Sequence, residues 1–138
     1  MRSPRPILVL LGALVPLLPL RAPAAQLCSE SLSTAAQTQC LMAALKVRDR
    51  ELDQALARVA QEAQQVPGPT FQTLWRENLT GFYRTSTDPR QQAEAFRSHR
   101  RAICAYAKSV GFQGTGYGIA TTRCELALTQ ALLQELRP

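Results

Sequence analysis

The stretch "CAYAKSVGFQGTGYGIATTRC", residues 104–124, decides how this chain is read. A cysteine stands at each end. Four of the seven glycines of the chain, Gly111, Gly114, Gly116 and Gly118, lie between them. Helical apolar spacing runs into the stretch from one side and out of it on the other. A helix–loop–helix unit closed by a Cys104–Cys124 bridge accounts for all of this. Such a bridge, 20 residues apart in sequence, constrains the unfolded chain by roughly 3 kcal/mol. The glycines are expected to supply the positive φ of a tight reversal. A phosphate-cradling loop would follow a strand, and would carry a Lys or the spacing G-x-G-x-x-G. Here a helix precedes, no lysine follows, and the spacing is 3, 2 and 2. No nucleotide or other cofactor is expected. The loop is either a structural turn or a contact loop on a rigid base. In the second reading Thr115 and Tyr117 are the contact residues, while Phe112, nearer the helix end, packs.

Upstream of the loop, Ala93, Phe96, Ile103, Ala107 and Val110 mark one face of a helix that opens at Asp88–Pro89 and stops at Gly111. Downstream, Cys124, Leu128, Leu132 and Leu136 form an i, i+4 stripe on a helix from about Ala120. Earlier still, Leu41, Leu45, Leu52, Leu56 and Val59 mark a helix of some seven turns, ending before "PGP" at Pro67–Pro69. Thr34 with Gln37 reads as its capping box. Its charge run, Lys46, Arg48, Asp49, Arg50 and Glu51, is expected to be a solvated face. Between the prolines and "TSTDPR", the residues Phe71, Leu74, Trp75, Leu79 and Phe82 make an aromatic-rich face expected to pack into the core. The triplet "NLT" at Asn78 sits mid-helix and is set aside as a glycosylation signal. No stretch alternates as a strand does. The fold class is therefore all-α: a small, disulfide-stapled bundle of three to four helices.

The first residues fix the expected compartment. Arg2 and Arg5 precede "ILVLLGALVPLLPL", and "RAPAAQ" follows with small residues at Ala22 and Ala24. That order is a secretory signal peptide, expected over residues 1–24, with the mature domain at 25–138. The apolar run is too short and too proline-broken for a membrane span, so no stable membrane insertion is expected after cleavage. Acylation at Cys28 is the weaker reading, because Leu27 stands where a small residue is needed. Of 16 Lys and Arg, Arg2, Arg5 and Arg21 leave with the signal; 13 then face 10 Asp and Glu, about +3. That balance makes no case for nucleic acid.

Cys28, Cys40, Cys104 and Cys124 all lie in the mature part. An even count in an exported chain reads as two disulfides. The spacings of 12, 64 and 20 hold no C-x-x-C, and His99 is the only histidine. No metal site is expected. Three connectivities are open, and the local pairs Cys28–Cys40 and Cys104–Cys124 are preferred. Since 12 helical residues rise roughly 18 Å, Cys28 must lie on a non-helical segment that folds back. No pair of acid and base groups with separable pKa values is evident, so no catalytic residues and no enzyme activity are expected. In "FRSHRR", Arg97, His99 and Arg101 are read either as a solvated face or as a face for an anionic head group or glycan.

Two stretches resemble a known family. "CLMAALKVRDRELDQAL" carries Cys40, Asp49, Leu52 and Asp53. "AFRSHRRAICAYAKSVGFQGTGYGIATTRCELALTQALLQEL" carries Phe96, Arg100, Cys104, Gly114, Thr115, Cys124, Leu128 and Thr129. In this pattern the chain resembles the lysozyme-inhibitor LprI-type N-terminal domain, a small exported helical domain. It departs where the family has Trp (Phe96), Asn (Asp53), an aromatic (Leu56) and Asp (Arg101), and it lacks a late Arg near Gln130 and Ala131. The resemblance implies a periplasmic or secreted binding protein whose partner is a lysozyme or another envelope protein. An envelope interaction or stress module without lysozyme activity is the alternative. A mature chain of about +3 gains no steering toward a basic lysozyme, so inhibition would rest on shape.

Overall fold

The computed structural model describes Cys28 and residues 32–138. The expected signal peptide, residues 1–24, lies outside the described residues. Four α-helices follow in order, with no strand among the described residues. Helix α1 spans Thr34–Gln65, α2 spans Pro69–Glu77, α3 spans Pro89–Ala107 and α4 spans Tyr117–Glu135. The first, third and fourth pack on one another as a three-helix bundle. Helix α2 runs on into a π-helical turn, Asn78–Phe82, and does not join that bundle as a full member.

Helices α1 and α3 begin where a polar side chain takes an orphan N–H, whereas α2 and α4 begin at Gly68 and Gly116 with no side-chain cap. The cap of α1 is Ser33, one residue before the expected Thr34, with its Oγ accepting from Ala36 N at 3.3 Å. Gln37 does not reach back to that cap. Its Nε2 donates instead to the Cys28 carbonyl at 3.4 Å and so holds the fold-back segment. Asp88 caps α3, its carboxylate accepting from Arg90 N at 2.9 Å, with Pro89 in the first turn. Helix α1 ends at Gln65, and the chain turns into α2 at Gly68, whose φ of 104° only glycine adopts without strain.

Both bridges pair as expected, Cys28–Cys40 and Cys104–Cys124, with Cα atoms 5.7 Å apart in each. Cys28 is non-helical and fully buried. It forms a core cluster with Leu41 and Leu126, against which Cys40, Ala44, Leu45 and Ile119 pack.

Three expected faces need correction. In α3 the buried residues are Ala93, Arg100 and Cys104, whereas Ile103 is 54% exposed, and Val110, on the 3-10 turn Ser109–Gly111 past the helix end, stands wholly in solvent. In α4 the buried residues are Thr122, Glu125, Leu126 and Thr129, while Leu128 of the expected stripe is exposed. Both helices are turned so that polar groups enter the interior. In α2 none of the aromatic-rich face is buried, and Phe82 is 76% exposed. A π turn holds more than four residues per turn, so it swings the residues after it out of α-helical register. Phe82 and Tyr83 are thereby placed together at the surface, ring centroids 4.9 Å apart and edge to face.

The loop glycines do not supply positive φ. Among the described glycines, only Gly68 does so. Right-handed turns carry the chain instead, with Gly111 N, Phe112 N, Gly114 N and Tyr117 N each donating three residues back. Gly114 permits a close approach, since an added Cβ would sit 3.3 Å from the Gly111 carbonyl oxygen. Gly118 lies inside α4 with open space around it.

Two glycine substitutions should therefore move stability in opposite directions. Gly68→Ala should destabilise by about 1 kcal/mol or more, because alanine is strained at that φ. Gly118→Ala should stabilise by up to about 1 kcal/mol through helix propensity. Thermal unfolding of the two variants side by side checks both signs.

Candidate functional site

Four side chains from the three bundle helices meet on Arg100. Arg100 is 3% exposed. Its Nη1 and Nη2 grip both carboxylate oxygens of Asp49 on α1, the Nη2–Oδ2 distance being 2.9 Å. Its Nε donates to Glu125 Oε2 on α4 at 3.1 Å, and Nη1 also donates to Thr129 Oγ1 at 2.8 Å. The Thr129 hydroxyl in turn donates to the Glu125 carbonyl at 2.7 Å. Phe96, one turn earlier on α3, lies 5.7 Å beneath the guanidinium carbon, within cation–π range. No buried side-chain polar atom among the described residues lacks a partner.

Burial pulls the Arg100 pKa down, but hydrogen bonds to Asp49 and Glu125, with their charges, outweigh it and hold the group above its ordinary value. A raised folded-state pKa means the stability contribution is complete below the unfolded value. It is lost only as pH climbs through the raised one, in strong alkali. At any pH near neutral the Arg100 guanidinium is therefore charged. Two carboxylates against one guanidinium make it a closed structural unit, with Nε, Nη1 and Nη2 each donating inside the protein.

Asp49, read from the sequence as part of a solvated charge run, belongs to this clamp. Glu125 was not singled out in the sequence. Its only signal is its position four residues before Thr129 on a helix whose apolar stripe is interrupted at both.

The Arg97, His99 and Arg101 set does not form a single face. Arg97 turns toward α1 and pairs with Asp53 at 2.7 Å. His99 lies on the other side of α3, beside Phe96, Ile103, Tyr106 and Leu128. Arg101 is exposed.

In the glycine loop the two aromatics stand opposite to expectation. Tyr117 is half-buried as the first residue of α4, and its hydroxyl donates to the Ala105 carbonyl at 3.1 Å. Phe112 is 63% exposed. The tyrosine packs because α4 begins three residues earlier than the apolar stripe indicated, which carries its ring back over α3. Thr115 is exposed at the turn between them. Among the described residues no cluster of His, Cys, Asp or Glu has metal-holding geometry, and no helix is long and apolar enough to cross a membrane.

A helical domain with two local disulfides, a polar clamp at its centre and a bridged glycine turn defines a class: a small disulfide-stapled helical domain of the kind found in oxidising compartments. Residues 28–136 match the family lysozyme inhibitor LprI, and the chain belongs to that family. Comparison with curated proteins and with solved structures finds no match. The family is one of inhibitors, and it points to lysozyme as the kind of partner. Of the residues that carried the resemblance, Asp49, Arg100, Thr129 and the three cysteines Cys40, Cys104 and Cys124 all sit in the clamp or the bridges. Phe96 and Asp53, two departures from the pattern, are each engaged as well, on Arg100 and Arg97.

Removing the guanidinium should be costly. Arg100→Met leaves two carboxylates facing each other inside the bundle, and a loss of about 3 kcal/mol or more is expected. Arg100→Lys should recover only part of it, since an ammonium cannot span the fork. Arg97→Ala, which breaks a pair with exposed partners, should cost under about 1 kcal/mol. Urea unfolding of the three variants ranks them.

Proposed function

We propose that the chain is an exported, non-enzymatic binding protein of the lysozyme-inhibitor kind, made with a signal peptide over residues 1–24 and working in the periplasm or as a secreted domain. The observation that carries this reading is the construction of the glycine loop. The Cys104–Cys124 bridge closes its base, and the Tyr117 hydroxyl ties it to α3. Successive three-residue turns stiffen its path. From that base it holds Phe112 and Thr115 in solvent. A preorganised turn ending in an exposed aromatic loses little entropy on entering a cleft. The segment between Lys108 and Arg123 carries no charge, so such an insertion would act by shape and apolar contact.

Turbidity clearance of bacterial cell walls by lysozyme, with the oxidised protein in excess, tests the reading. The wild-type protein should slow clearance. Phe112→Ala should weaken that effect about thirtyfold, as loss of an aromatic anchor does, with an unchanged far-UV spectrum. Tyr117→Phe should lower stability by about 1 kcal/mol through the lost hydrogen bond and leave inhibition intact. The charge balance favours one second reading. A mature domain of about +3 would be mildly repelled by a basic enzyme. If the wild-type protein leaves clearance unchanged, the loop instead serves an envelope protein without lysozyme activity.

A further inference from the structure

Where the chain reverses from α3 into α4 there is a recess of about 450 Å³. That volume is within the range of small-molecule sites. Three of the loop glycines, Gly111, Gly114 and Gly116, line it. Gly114 has a structural reason to be glycine, since an added Cβ would sit 3.3 Å from the Gly111 carbonyl oxygen. Gly111 and Gly116 have none. Neither has positive φ, and a Cβ on either would meet no atom within 4 Å. Glycine where alanine fits lowers stability, because the unfolded chain has more freedom to lose. What glycine does at both positions is keep the recess wide, since side chains there would narrow it.

We propose that this recess is a binding site for a small carboxylate with a flat apolar body, of the arylalkanoate class. Each part of that ligand follows from the lining. Ala107 and Ala120 are apolar, and Val110, wholly in solvent, adds an apolar edge. Tyr117 contributes its ring, because its hydroxyl is already committed to the Ala105 carbonyl. Bare glycine backbone lets a flat group lie close, and an aromatic ring packs well against a tyrosine. The one charged residue of the lining is Lys108. It joins no ion pair among the described residues, and no acid lines the recess to oppose it. A single ammonium beside an apolar surface matches a ligand with one negative charge at one end. The several phosphates of a nucleotide would find no second cation there. Neither Phe112 nor Thr115 lines the recess, so this site is separate from the lysozyme reading.

Titration of the isotope-labelled, oxidised protein with hydrocinnamate, followed by heteronuclear NMR, tests the proposal. Saturable shifts of the Gly111, Gly114 and Gly116 amides are expected, and acetate, which lacks the ring, should give none over the same range. The neutral amide of hydrocinnamate should bind about fivefold more weakly, the worth of one exposed charge pair. Lys108→Gln should bring hydrocinnamate down to the affinity of its amide. Gly116→Leu, which fills the recess, should abolish the shifts at Gly111 and Gly114 while Tm stays the same or rises. Phe112→Ala should leave the titration unaltered, whatever it does to lysozyme. Should Gly116→Leu disturb the fold, Lys108→Gln at an exposed position still gives the answer. Absence of saturable shifts at the three glycines overturns the proposal. So does binding that is indifferent to Gly116→Leu, or equal affinity of the wild-type protein for the acid and its amide.

Discussion

A single guanidinium sets the relative positions of the helices. Arg100 enters the interior because α3 must face both α1 and α4, and it finds Asp49 on one and Glu125 and Thr129 on the other. Burying a lone cation would cost many kcal/mol, so the helices are held where each of its three nitrogens finds an acceptor. Hydrophobic contact alone is more permissive: Leu41, Leu52 and Leu126 would tolerate a helix rotated by some tens of degrees. A planar fork bound on three sides does not. The clamp thus contributes less as net stabilisation than as a choice of one packing among several.

That choice explains which parts of the fold were legible in the sequence. The all-α class, the three breaks and both bridges follow from periodicity, proline and glycine placement, and cysteine spacing. The inner face of α1 was also legible at Leu41 and Leu52, where apolar residues do face the core. The inner faces of α3 and α4 were not. Periodicity assumes that apolar residues point inward, and here Arg100, Glu125 and Thr129 take that place, pushing Ile103 and Leu128 out. Asp49 was hidden for the same reason, since a carboxylate among charges looks solvated until its partner is known. Phe82 was misplaced by a π turn that no local residue announces.

The candidate loop was legible as an element and illegible in detail. Its boundaries and its disulfide came from the cysteines and glycines. The roles of its two aromatics depended on where α4 starts, which the apolar stripe placed three residues late. Tyr117 therefore became a tether and Phe112 an exposed ring. The residues matching the family pattern converge on the clamp and the bridges, so they describe how the domain is built. The surfaces that would contact a partner are made of other residues.

Both bridges join cysteines that are consecutive along the chain, the first with the second and the third with the fourth. A chain entering an oxidising compartment from its N-terminus presents Cys28 and Cys40 together, long before Cys104 appears. An oxidase that joins thiols in order of arrival makes the native bonds directly. No thiol–disulfide reshuffling is then required, and maturation can proceed without an isomerase. Neither covalent loop spans the distance between α1 and the α3–α4 hairpin, so oxidation leaves the final docking of these parts free. That last step falls to the noncovalent core and the Arg100 clamp, and it can occur after both bridges are complete.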